Sequence, residues 1–107
     1  MDKVMTLISF SRKAGKLVGG FDAVESSIKK KNAKIVLISS DASDRTRESV
    51  HRLSVDIQGF RIVNTGYTME EYSKICKKNY AVLAIEDQGF ADALYKLLEE
   101  ELYDKKV

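Results

Sequence analysis

The stretch KLVGGFDAVESSIKKK, residues 16–31, starts as a short apolar strand, turns on Gly19 and Gly20, and enters an amphipathic helix that closes on three consecutive lysines. Val24 and Ile28, four apart, set the apolar stripe of that helix, and Asp22 followed three residues later by Glu25 has the spacing of a capping box with Asp22 as the cap. Strand, tight turn and helix in immediate succession are the alternation expected of an α/β domain. The glycine pair itself is open to two readings. Glycines at a helix start let backbone amides approach an anion, and they are also how short turns are made.

Moving outward, the same alternation fills the chain. Val4, Leu7, Ile8 and Ser11 fall at helical spacing and predict a first helix ending near Ala14 and Gly15, ahead of the "KLV" strand. On the other side "KIVLIS" is a β-branched apolar run between Asn32 and Ser40-Asp41, the pattern of a strand buried on both faces. Val50, Leu53 and Ile57 predict a helix closed at Gly59, and "FRIVN" a third strand. Thr68 with Glu71 opens a helix whose apolar side is Met69, Tyr72 and Ile75. "YAVLAIE" gives a fourth strand, and Phe90, Leu94, Leu97 and Leu98 line a last helix running into the acidic "EEELYDKK". Proline, linkers and internal repeats are all missing, so residues 1–107 read as one domain, an α/β/α sandwich.

A chain of 107 residues with 44% hydrophobic content is enough for one core. No run reaches the roughly 18 apolar residues of a membrane span, and no basic leader precedes the apolar part of the N-terminus, so a cytoplasmic location is expected. A lone Cys76 has no disulfide partner, and with a single histidine there is no zinc ligand set; a reduced, partly buried thiol is expected. The net charge of +2 conceals an asymmetry. Residues 1–34 carry eight Lys/Arg against three Asp/Glu, and residues 86–107 carry three against seven. The basic front is either a solvated face or the footprint of a polyanion.

Catalytic readings come up short. His51 in "ESVHRL" falls on or beside the polar face of its helix, with no serine elbow or reactive cysteine beside it. Asp41 follows an apolar strand, where phosphate-accepting domains place an aspartate, but the acidic pair and late lysine of such domains are missing. "DASDRT" more simply supplies capping oxygens. The glycine pair fits neither a Walker loop nor a dinucleotide fingerprint. What remains is a turn and helix start bracketed by Arg12, Lys13 and Lys16 before it and by Lys29, Lys30, Lys31 and Lys34 after it. Ammonium groups supply salt-sensitive attraction to phosphate, while helix-start amides and short polar side chains meet base edges in opened or kinked RNA. Phe21 at the turn either packs under the helix as a hydrophobic staple or stacks on a base.

"RKAGKLVGG", "AKIVLISSDAS" and "DQGFADAL", in that order and spacing, resemble the bacterial YlxQ-like branch of the kink-turn RNA-binding ribosomal protein family, of the archaeal large-subunit ribosomal protein seven-Ae type. The resemblance covers nearly the whole chain. It implies a three-layer α/β/α sandwich with a four-stranded mixed sheet, no catalysis and no cofactor. Its implied partners are structured RNA, kink-turn-like or ribosomal, and the ribosome as a further candidate, with no membrane and no small-molecule substrate. The implied RNA contacts are the glycine turn, the following helix start and a loop before the last strand. Residue by residue, the family's basic position before the turn matches Lys16 and its turn glycine matches Gly20. The archaeal helix start Asn-Glu-x-x-Lys falls on Asp22, Ala23, Val24, Glu25 and Ser26, so three positions depart from it: Asp22 only accepts, Ala23 has no carboxylate, and Ser26 lacks a charge. The loop before the last strand departs as well, with "EYSKICKK" where the family tends to have Leu-Gly and a second glycine. Lys29, one helical turn beyond Ser26, is in reach of a phosphate. The expected RNA-binding set is therefore Lys16, Gly19, Gly20, Phe21, Asp22, Ser26 and Lys29, with altered or relaxed kink-turn selectivity. The alternative is a protein-interaction module that keeps the fold, has lost RNA binding, and uses the acidic C-terminal helix. Exposed aromatics such as Tyr67 and Tyr103 are candidates for a dimer contact.

Overall fold

Nine segments become regular structure, and their order follows the hydrophobic pattern. In the computed structural model, which describes residues 2–106 with side chains through residue 100, they are α1 (Lys3–Lys13), β1 (Leu17–Gly19), α2 (Phe21–Lys29), β2 (Ile35–Ile38), α3 (Asp44–Asp56), β3 (Arg61–Asn64), α4 (Met69–Cys76), β4 (Val82–Ile85) and α5 (Gln88–Lys106). Tyr103 lies outside the described side chains.

β2 and β4 are the two continuous apolar runs, and both are buried at every residue. They occupy the middle of a sheet of order β1-β4-β2-β3. β4 runs antiparallel to β1 and to β2, whereas β2 and β3 are parallel, so the sheet is mixed. Side chains alternate across the pleat and feed two cores. Ile35, Leu37, Leu83 and Ile85 face α1, α4 and α5 through Ile8, Tyr72 and Leu94. Val36, Ile38, Val82 and Ala84 face α2 and α3 through Val24, Ile28 and Val50. The result is the three-layer α/β/α sandwich that the alternation calls for. Fully burying a side chain of this size contributes about 1.5–3 kcal/mol relative to leaving it in water.

The helix starts differ in how they are capped. Asp2 caps α1 and Ser43 caps α3, each accepting from a first-turn amide. Thr68 and Glu71 form the reciprocal capping box expected at α4. The box expected at α2 does not form. Gly20, not Asp22, is the cap, and no side chain caps the helix. The reason lies in the turn: Gly20 at φ +89° and ψ 151° turns the chain two residues sooner, its amide bonds Val82 O at 2.9 Å, and its carbonyl accepts the first helical bond from Val24. Asp22 then sits inside the first turn, where its charge suits the helix dipole. Glu25 reaches forward to Lys29 instead of back to a cap. Two smaller shifts accompany this. Ile57 is the extended cap after α3 rather than part of its stripe, and only the middle four residues of "YAVLAIE" pair as strand.

Asp41 does supply a capping oxygen, but to a different helix from its own segment. Its carboxylate accepts from the Met69 amide at the start of α4, at 3.0 Å. That bond holds the Asp41 carboxyl below the usual aspartate range. Arg47 of α3 donates to Asn64 Oδ1 at 2.5 Å and to the carbonyls of Ser39 and Ser40 at 2.9 and 3.1 Å. The crevice beyond the ends of a parallel strand pair, where open α/β sheets commonly take ligands, is thus occupied here by the protein's own guanidinium.

Candidate nucleic-acid interface

At one end of the sheet, strand β1 finishes beside the beginning of β4, with Gly19 opposite Leu83. The start of α2 and the loop of residues 77–81 between α4 and β4 therefore meet there. From α2 come Gly20, Phe21, Asp22 and Ala23. The first-turn amides of an α-helix have no partner inside the helix, and here no side chain supplies one. Asp22, Ala23 and Ser26 are exposed, while Phe21 is half-buried and packs against the Val24 and Ile28 cluster. Phe21 thus packs under the helix but is not the staple residue expected, because with Gly20 as the cap it is the first residue of α2 and no longer precedes the cap, and part of its ring stays accessible.

The loop contributes Lys77, Lys78, Asn79 and Tyr80. Lys77 terminates α4 in the left-handed region at φ +64°, and it, Lys78 and Asn79 are exposed. Tyr80 lies over the glycine pair. A Cβ added at Gly19 would sit 2.3 Å from the ring, and one at Gly20 would sit 3.3 Å from it. The glycines thus serve a purpose not visible in the local sequence: a flat ring rests directly on their backbone, which closes one side of the turn and leaves the start of α2 as its open edge.

Of the seven residues expected to form the interface, Gly19, Gly20, Phe21 and Asp22 come together at this tip, and Ser26 lies one turn along α2. Lys16 and Lys29 stand at the far end. Lys16 precedes β1, and its carbonyl accepts from Glu86 N at 2.7 Å; it is four steps of extended chain from Gly20, about 13 Å. Lys29 closes α2, about 12 Å of helix from Phe21. It pairs with Glu25 at 3.7 Å on the surface, a contact of about 0–1 kcal/mol that is easily exchanged for another anion. The exposed lysines nearest along the chain to the residue that covers the turn are Lys77 and Lys78, in the loop that carries Tyr80. Only their place in the loop before the last strand, with two lysines in a row, signals them in the sequence. Tyr80 carried no signal.

Other chemistry is not assembled. His51 is exposed, and among the described residues no group of His, Cys, Asp and Glu is arranged to hold a metal ion. Cys76 is half-buried, and burial pushes its thiol pKa up, away from nucleophilic character. Among the described residues no helix is long and apolar enough to cross a membrane.

A mixed four-stranded sheet between helical layers, with an uncapped glycine-led helix at its end, defines a small α/β/α binding domain. The chain belongs to the Ribosomal protein L7Ae/L30e/S12e/Gadd45 family, whose model it matches over residues 2–95. Within it the chain is YlxQ-like. It is 31% identical over 99 residues to the RNA-binding protein YlxQ of Enterococcus faecium, covering 91% of this chain and 92% of that one. To the RNA-binding protein YlxQ of Bacillus subtilis strain 168 it is 32% identical over 94 residues, covering 87% and 92%. A solved protein of unknown function from Bacillus halodurans shares the fold with a TM-score of 0.83 at 22% identity, over 92% of this chain and 99% of that one. The Giardia lamblia 15.5kD RNA binding protein does so with a TM-score of 0.65 at 18% identity, over 94% and 85%.

Proposed function

We propose that this protein is a non-catalytic RNA-binding module that takes structured RNA at the tip formed by Gly19, Gly20 and the start of α2, with Lys77 and Lys78 beside it. The observation that carries the reading is the helix start without a side-chain cap. Its first-turn amides point out of the end of the helix, where the dipole favours negative charge, and short exposed side chains leave room for a backbone or a base edge to approach. Membership of the family and the names of the YlxQ relatives support RNA over other polyanions.

Selectivity for a kink-turn is relaxed in this reading. Asp22 carries a carboxylate where an amide would both donate and accept, Ala23 offers no acceptor to a guanine edge, and Ser26 brings no charge. Phosphate attraction survives these changes, because Lys77 and Lys78 lie in the loop whose Tyr80 rests on the glycine turn. The protein then works in the cytoplasm on ribosomal or ribosome-associated RNA. The test is a titration of a kink-turn RNA and of a plain duplex at low and moderate salt. Measurable binding of both, with the kink-turn preferred by less than about tenfold and affinity falling steeply with salt, is the expected result. No binding to either at low salt removes the reading in favour of a protein-interaction module on the same fold.

A further inference from the structure

The lysines that the sequence sets around the glycine turn form a separate surface. Helix α2 delivers Lys29, Lys30 and Lys31 to the end of the sheet opposite the tip. Lys34 joins them there, its amide bonding Ile85 O at 2.9 Å at the finish of β4, and Lys16 stands on the neighbouring edge. Lys16, Lys30 and Lys31 are exposed. Among the described residues only Lys29 has a carboxylate within ion-pair distance. Glu86 accepts from Ser27 Oγ at 2.5 Å and Asp87 from the Phe90 amide at 2.8 Å, so neither is paired with one of these lysines, and the Lys34 ammonium donates to the Lys31 carbonyl at 3.2 Å, which draws the two residues together.

Backbone conformation adds an independent sign. Helices α1 and α2 end in the same motif. After α1, Gly15 N bonds Arg12 O and Lys16 N bonds Ser11 O; after α2, Lys31 N bonds Ile28 O and Asn32 N bonds Ser27 O. The pivot residue is left-handed in both, at φ +71° for Gly15 and +62° for Lys31. At that position glycine is the residue of least strain, and a residue with a Cβ costs about 1–2 kcal/mol more. The chain uses glycine at one pivot and places a lysine at the other, within a run of lysines. Strain held at an exposed charged residue points to function there.

We propose that Lys30, Lys31 and Lys34, with Lys16 beside them, form a second phosphate-binding surface that engages the backbone of a duplex arm of the same RNA whose folded part meets the tip. This inference rests on the RNA-binding reading above. Lysine suits the task, since it is a point charge that attracts phosphate and reads no bases. The length of α2, about 13 Å, sets the distance between the two surfaces. One RNA therefore reaches both only if a helical arm continues past the folded part.

The test compares two kink-turn RNAs, one with long duplex arms and one with arms trimmed to a few pairs, between about 50 and about 200 mM salt. The variant Lys30→Ala/Lys31→Gly/Lys34→Ala should lose roughly tenfold or more in affinity for the long-armed RNA, and its log–log salt slope should fall by about 2–3. The short-armed RNA should be bound as by the wild type. Arginine at the same three positions should keep the affinity. Lys31→Gly alone should raise the thermal midpoint while weakening long-armed binding, which separates the charge from any loss of folding. Long-armed affinity and slope unchanged in the triple variant overturn the second surface and leave the tip reading intact. Wild-type protein that binds neither RNA overturns both.

Discussion

Gly19 and Gly20 adjoin in sequence but are held to glycine for different reasons. Gly19 lacks space, because the Tyr80 ring lies where its Cβ would be. Gly20 lacks an alternative conformation, since φ +89° with ψ 151° falls in a region open to essentially no other residue. The two substitutions should therefore be told apart by one background change. Gly19→Ala should cost about 1–3 kcal/mol, read from denaturant midpoints, and most of that should return when Tyr80→Ala is added. Gly20→Ala should cost a similar amount that Tyr80→Ala does not recover. A Gly19→Ala protein as stable as the wild type would mean that the ring does not rest on the turn. The pair was visible in the sequence as a turn with spare backbone freedom, but the ring that explains the first glycine arrives from sixty residues away, and no local pattern announces it.

At the scale of elements, the hydrophobic periods located every helix and strand core, because each helix buries one stripe and the two central strands are apolar throughout. Capping was legible where the partner was local, as at Thr68 and Glu71, and illegible where it came from elsewhere. Asp22 and Glu25 had the right spacing for a box but not the right place, since the turn at Gly20 had already begun the helix. Asp41 had the right chemistry and served α4 instead of α3. That cap has a pH signature. The Met69 amide lowers the Asp41 pKa below 3.8 in the folded protein, so the contribution is present above that value and is lost as the pH falls through the folded one. Asp41→Asn keeps an acceptor without the charge. It should be slightly less stable than the wild type near pH 7, and in thermal unfolding the difference should shrink as the pH is taken progressively below 3.8. Asp2 keeps some acid sensitivity in both proteins. Burial raises its pKa, but the bonds from the Met5 amide and the Tyr67 hydroxyl together outweigh that and leave it lowered. A pH-independent difference between the two proteins would remove the charge from the account of the cap.

For the molecule as a whole, the question the sequence left open was where its charges lie relative to the turn. Read along the chain, Lys16 and Lys29 bracket Gly20 closely. In the fold, β1 and α2 lead away from the tip in the same direction, and the lysines collect at the opposite end. Turn and lysines, adjacent along the chain, are parted in the fold because each connecting element spans about 10–13 Å. The sheet order has a dynamic corollary. β1 is a three-residue edge strand whose ladder is made with β4 alone, whereas β4 and β2 are each paired on both sides. Amide hydrogen exchange should accordingly show weaker protection at Leu17 to Gly20 than in β2 and β4. Equal protection across the sheet would mean that the edge opens only with global unfolding.

The late pairing of Leu17 with Ile85 also sets an order of events during biosynthesis. An N-terminal half emerging first can form α1, α2, β2 and α3, yet the strand that leads into the glycine turn has nothing to dock on until about four-fifths of these 107 residues have been made. The nascent chain therefore carries its basic segment for most of its synthesis before the glycine turn and the start of α2 are fixed against β4, and that end of the molecule takes its shape in one of the last steps of folding.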